Sequence, residues 1–129
     1  MQDSISHLII QLKNGSAARK ESITMPHSNF AESVAMALAR KGYVKPALKK
    51  GKGVQKSLEV SLIYVNGVAR INDVKRVSKP SKRLYKGYSE IHQVKQGFGS
   101  TFVSTPKGIL SDDEARNQKV GGEVLFQIW

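Results

Sequence analysis

The sequence predicts an α+β fold. Three observations carry that expectation: an apolar stripe at helical spacing near the N-terminus, an alternating segment that runs into Asn66 and Gly67, and a helix-capping pair, Ser111 and Glu114, set between strand-like runs. With 129 residues, 40% of them hydrophobic, the chain can bury a core as one domain or as two small ones.

In the first helix Ile5, Leu8, Ile9 and Leu12 recur at i, i+3, i+4 and i+7, with Ser4 as a candidate cap. Lys13 and Asn14 fall near its end, where a cation suits the helix dipole, and Gly15 ends or weakens it. Residues 22–26, "SITMP", form a short strand. A second helix follows Pro26, capped by Ser28 or Asn29, burying Phe30, Val34, Ala37 and Leu38 and stopping at Gly42. Residues 43–48, "YVKPAL", are a candidate strand that Pro46 confines to an edge, and residues 49–56, "KKGKGVQK", form a loop. Residues 57–65, "SLEVSLIYV", place Leu58, Val60, Leu62 and Tyr64 on one face, and Asn66 with Gly67 favours a type I′ hairpin turn. The first half is therefore helix–strand–helix–strand–strand.

The second half is mainly β with short helices. A basic, tyrosine-bearing stretch, residues 74–88, precedes a short helix expected over residues 89–97. "STFVST", residues 100–105, and "GILS", residues 108–111, are strands joined by the loop "STPKG". A helix capped by Ser111 and Glu114 runs to about Val120, and Gly121 with Gly122 breaks it. In the closing strand "EVLFQIW", Val124, Phe126 and Ile128 share one face and Leu125 and Trp129 the other. Both faces are apolar, which places the strand centrally or under cover.

The net charge of +11 asks for an anionic partner, with nucleic acid the first candidate. The charge is concentrated: residues 40–86 hold fourteen Lys and Arg against Glu59 and Asp73 alone, so phosphate is expected there. No run of apolar residues is long enough for a membrane helix, and no secretory leader is expected from "MQDSISHLII". The absence of cysteine removes disulfides and thiol chemistry and fits a reducing compartment such as the cytoplasm.

Enzymatic readings find little support. Ser104 lies in no G-x-S-x-G elbow, and His7, His27 and His92 lack both a triad context and metal-binding spacing. "GFGST", residues 97–101, lacks the third glycine of a dinucleotide loop and leads into a strand, not a helix. Asp112, Asp113 and Glu114 are accounted for by helix capping. The chain is expected to be non-catalytic and to need no cofactor or metal. An RNA- or DNA-binding surface explains more. Tyr85 and Tyr88, interleaved with Arg83 and Lys86, can stack on bases or pack on the fold, and a Ser-Thr loop can approach base edges and 2′-hydroxyls.

Residues 97–129 resemble the C-terminal part of the bacterial-type small-subunit ribosomal protein S-eight family: G-x-G, the Ser-Thr loop, "KGIL", D-x-E-A-R and "VGGEVL" with a terminal Trp. "SKPSKRLY", residues 78–85, and "LKN", residues 12–14, resemble two further segments, in order along the chain. The resemblance implies two small α+β domains, residues 1–66 and 67–129, and a structural protein that binds the central domain of small-subunit ribosomal RNA, supports platform assembly and has small-subunit proteins as neighbours. It also implies Ser104, Thr105, Gly121, Gly122 and Glu123 as RNA contacts, then Ser78, Lys79, Arg83, Tyr85 and Lys86, with Lys13 and Asn14 touching a second RNA segment. Bacterial members of that family often also repress their own operon mRNA, so the resemblance adds that mRNA as a further partner to expect. The family's loop usually reads Ser-Thr-Ser. Here Pro106 holds the third position without a hydroxyl or an N–H, so contact is expected to shift to Ser104, Thr105 and Lys107.

Overall fold

The computed structural model describes residues 3–52, 56–79, 81–91 and 99–129. It divides into two compact units, Asp3–Asn72 and Asp73–Trp129. The architecture is the α+β class expected, with mostly antiparallel sheets.

In the first unit, helix α1 (Asp3–Ala17) buries Ile5, Leu8, Ile9 and Leu12, the whole predicted stripe. It begins at Asp3, so Ser4 lies inside it and not before it. It also continues through Gly15. A Cβ there would come within 2.7 Å of Ile23 Cγ2, so the bare glycine lets the helix lie close on strand β1 (Ser22–Pro26). Helix α2 (Asn29–Arg40) is capped by Ser28, whose hydroxyl accepts from the Ala31 N–H at 3.0 Å, and it buries Val34, Ala37 and Leu38 as predicted. Phe30 is only half-buried, and Ala31 and Ala35 take the remaining core positions.

The sheet of this unit runs β1–β3–β2, all antiparallel, with β2 at Leu48–Lys50 and β3 at Ser57–Ser61. Register pairs Ile23 with Val60 and Met25 with Leu58, stacking four buried side chains in two rows. Burial of this kind contributes about 1.5–3 kcal/mol per large apolar side chain. The strand expected over residues 43–48 reduces to a bridge between Val44 and Leu62, and Lys49 and Lys50, expected in a loop, belong to edge strand β2. Pro46 explains both. The Lys45 N–H reaches the Ser61 carbonyl at 3.0 Å, Pro46 can donate nothing, and pairing resumes two residues later. The long alternating run also divides: the Leu62 N–H still follows the β1 register, donating to the Glu21 carbonyl at 2.9 Å, and the chain leaves the sheet at Ile63, whose carbonyl accepts from the Arg70 N–H at 2.9 Å. Beyond it, β4 (Tyr64–Val65) and β5 (Val68–Ala69) form the expected hairpin, with Asn66 and Gly67 at φ 54° and 79° as a type I′ turn requires.

The second unit is built round strand β10 (Gly122–Ile128). Along one edge lies β8 (Ser100–Thr105), followed by β9 (Gly108–Ser111); along the other lie β6 (Val74–Arg76) and β7 (Tyr85–Lys86). Between β6 and β7 the Leu125 carbonyl accepts from the Val77 N–H at 3.0 Å, and the Val124 N–H donates to the Leu84 carbonyl at 2.8 Å. The ladder ends with Asp73 and Trp129 exchanging both backbone bonds, at 3.1 and 3.2 Å. β10 is therefore the central strand.

Its faces differ from expectation. A bulge lies between Val124 and Phe126, so Val124 pairs with Val103 and Phe126 with Phe102, neighbours on opposite faces of β8. Val124 and Phe126 thus point to opposite sides. Phe126 stacks with Phe102 at 5.4 Å between ring centroids, while Val103, Leu110, Ile91 and Ala115 of helix α3 (Asp112–Gln118) form a separate buried cluster. Ser111 and Glu114 form the predicted capping box. Asp112 does more than cap: buried, it accepts from the Thr101 N–H at 3.3 Å and pairs with Arg116 at 3.2 Å, and Arg116 also donates to the Ile91 carbonyl at 2.8 Å. Of the helix expected over residues 89–97, Tyr88–Glu90 form a single 3-10 turn; residues 92–98 lie outside the described residues.

Two carboxylates brace the edge of the first sheet. Glu32 accepts from His27 at 2.8 Å and faces Lys49 at 3.7 Å, and Glu59 faces Lys50 at 2.8 Å. The His27 hydrogen bond holds Glu32 below the usual carboxylate range, and the Lys50 hydrogen bond does the same for Glu59. A lowered folded-state pKa contributes stability above the unfolded value and loses it as pH falls through the folded value. A Glu32→Gln, Glu59→Gln double variant is therefore expected to melt below the parent near neutrality, the gap closing below about pH 4. Calorimetry across that range tests this, and a gap that did not change with pH would contradict it.

Candidate nucleic-acid interface

The β8–β9 hairpin turns through Pro106 and Lys107, with Thr105 paired to Gly108. Gly108 has φ +110°, a conformation that favours glycine. The Thr105 hydroxyl closes the turn from inside. It donates to the Gly108 carbonyl at 2.8 Å and accepts from the Lys107 N–H at 3.1 Å. A hydroxyl has one proton, so Thr105 has none to offer a ligand and keeps only a lone pair. Pro106 suits this turn because its φ is preset and no N–H is required of it. Pro106 and Lys107 are exposed at the tip.

Ser104 stands just behind the turn, half-buried. It pairs with Glu123 on β10, and Glu123 pairs in turn with Tyr85 on β7. Partners across antiparallel strands point to the same side, so Ser104, Glu123 and Tyr85 form one row across three strands. Oε2 of Glu123 is buried and has no hydrogen-bond partner among the described residues. Such an atom is destabilising until it meets a donor. At the row's outer end Tyr85 is 62% exposed.

Gly121 and Gly122 hold these strands together. A Cβ on Gly122 would overlap the Ser104 carbonyl, and one on Gly121 would overlap the Lys86 carbonyl and crowd Gly87. The resemblance implies RNA contact at this pair. Within the fold its effect is to let β10 lie close against the segments that carry Ser104 and Lys86.

Ser78 is buried, and its hydroxyl serves Leu84 twice, accepting from the N–H at 2.9 Å and donating to the carbonyl at 3.3 Å. Inside the loop so closed, Lys79 and Lys82 exchange both backbone hydrogen bonds, at 2.9 and 3.0 Å. Lys79, Lys82 and Arg83 are all exposed, and Lys86 is half-buried on β7. Lys82, absent from the sequence-based candidates, is placed opposite Lys79 by this pairing; its place inside "SKPSKRLY" was the available signal. Lys13 and Asn14 are exposed on α1 in the first unit.

The electrostatics favour the second unit's loop over the first unit's edge strand. Lys49 and Lys50 have acidic partners within their own unit, whereas the described ion pairs include none to Lys79, Lys82 or Arg83. Among the described residues no cluster of acidic and histidine side chains suits a metal ion. His27 is bonded to Glu32 and His7 to Gln11, while His92 lies outside the described residues.

The sequence profile described as Ribosomal protein S8 matches residues 3–129. The "Small ribosomal subunit protein uS8" of Erythrobacter litoralis is 41% identical over 129 residues, which cover 100% of this chain and 98% of the relative. Its namesake in Zymomonas mobilis is 42% identical over the same length and coverage. That of Mycoplasmopsis agalactiae is 37% identical over 127 residues, 98% of this chain and 97% of the relative. The likeness read from short motifs thus extends along the full length, and the chain belongs to the ribosomal protein S8 family.

Proposed function

We propose that the chain is a non-catalytic structural constituent of the small ribosomal subunit. It binds the central domain of small-subunit ribosomal RNA and supports assembly of the platform beside neighbouring small-subunit proteins. This places it on ribosomes, in the cytoplasm or in an organelle. The observation that carries the reading is the row of Ser104, Glu123 and Tyr85 next to the basic loop. Glu123 can only accept, and phosphate offers it nothing but repulsion. The groups that suit it are donors, and the RNA minor groove displays 2′-hydroxyls and amino groups. Lys79, Lys82, Arg83 and Lys107 are placed to neutralise phosphate around that groove, while Ser104 and Glu123 read its shape.

The other candidates take graded roles. Thr105, Gly121, Gly122 and Ser78 shape the surface through bonds and contacts within the protein. Lys86 adds charge on β7, and Lys13 with Asn14 gives the first unit a contact with a second RNA segment. A messenger RNA that reproduced the same helix would occupy the same row, the physical basis on which repression of its own operon is proposed.

Ser104→Ala is expected to weaken binding of the cognate RNA helix by about 1 kcal/mol, with the melting temperature unchanged. Thr105→Val is expected to weaken it by loosening the turn, and Thr105→Ser to restore it; titration of the three variants against one RNA decides this. If Thr105→Val bound like the parent, the turn role would be wrong. Binding should also fall with salt, at a logarithmic slope of about −0.7 to −0.9 per neutralised phosphate, and the Lys79→Ala, Lys82→Ala pair should flatten that slope by about two. An unchanged slope would remove this loop from the phosphate contacts. Duplex DNA should compete poorly, because it has no 2′-hydroxyl.

A further inference from the structure

Tyr88 is the aromatic residue left over by the site described above. It is 41% exposed, although its ring is large enough to fill a core position. The backbone round it is held from both sides. On one side Lys86 pairs with Gly122 of the central strand. On the other Ile91 is 3% exposed in the α3 cluster, and Arg116 holds its carbonyl at 2.8 Å. Between these anchors the 3-10 turn is closed by Glu90, whose carboxylate accepts from the Gly87 N–H at 3.0 Å and whose own N–H donates to the Gly87 carbonyl at 2.9 Å. The turn thus presents an aromatic ring to solvent from a fixed mount, three residues beyond exposed Tyr85 and close in sequence to Arg83 and Lys86.

An exposed ring on a rigid mount beside cations matches what unpaired nucleobases require: a flat apolar face whose position is already fixed, with charge nearby for the adjoining phosphate. A paired base keeps its faces inside the helix stack, so a ring outside the groove can meet only a base that has left the stack. Resting on the RNA-binding reading, we infer that Tyr88 is a stacking platform for an unpaired base of the bound RNA, beside the groove-reading row and separate from it. The ring does the work, so a phenyl group suffices and the phenolic hydroxyl is dispensable.

The test uses the full chain and an RNA hairpin cut from the region of small-subunit ribosomal RNA that the protein protects from cleavage. Tyr88→Phe is expected to bind like the parent, and Tyr88→Ala about 5- to 160-fold more weakly, the range for loss of one base stacked on an aromatic ring. Each unpaired base is then replaced in turn by an abasic ribose. One replacement should weaken the parent by the same factor and leave Tyr88→Ala unaffected, while both variants keep the parent's melting temperature. Equal binding of Tyr88→Ala and the parent would overturn the platform while leaving RNA binding intact. A loss in Tyr88→Ala that no abasic position reproduces would overturn it as well, assigning the ring to a phosphate, a sugar or the fold. If the parent protected no small-subunit RNA and bound no hairpin, the RNA-binding reading would itself fail.

Discussion

The second unit depends on one strand being hydrogen-bonded along both edges. β10 meets β8 on one side and, on the other, β6, Val77, Leu84 and β7 in succession. Three chain segments far apart in sequence thereby reach a common row, in which Ser104, Glu123 and Tyr85 stand side by side. Gly122 makes the approach possible, because any side chain there would collide with the Ser104 carbonyl. The bulge at Leu125 turns its neighbours to opposite faces: Val124 pairs with Val103, a member of the α3 cluster, and Phe126 stacks on Phe102.

Local signals in the sequence were legible where one physical rule acted alone. The α1 stripe needs only the helical period, the Asn66 and Gly67 turn only two residues that tolerate positive φ, and the α3 cap only a hydroxyl and a carboxylate three apart. The bulge was not legible, since apolar residues on both faces of β10 leave periodicity nothing to detect. β2 was hidden because Pro46 and the glycines that follow suggest a loop, although the pairing is supplied by β3 from outside the segment.

The candidate site divides the same way. Motif and charge pointed to candidate segments; which group each hydroxyl bonds to was not readable from them. Ser78 and Thr105 have side chains that suit RNA, yet both are turned to backbone groups of their own loops. Short hydroxyls compete for nearby amides, and only coordinates show which partner wins. Pro106 fits this arrangement. Where the turn is held by Thr105 and Gly108, a third hydroxyl is unnecessary to its shape, and proline stiffens the unfolded chain instead.

The position of β10 in the chain has a consequence for how the protein is made. The central strand is the last element of its unit to be synthesised, so β6, β7 and the β8–β9 hairpin emerge before the strand that joins them. The sheet cannot close until Ile128 has left the tunnel, because Asp73 at the unit's start waits for Trp129 to complete the ladder. The first unit contains all its own strands and is under no such delay. A chain halted before Gly122 therefore carries the basic loop without the row beside it, and the proposed RNA-reading surface forms only on chains that have been read to the end of that strand.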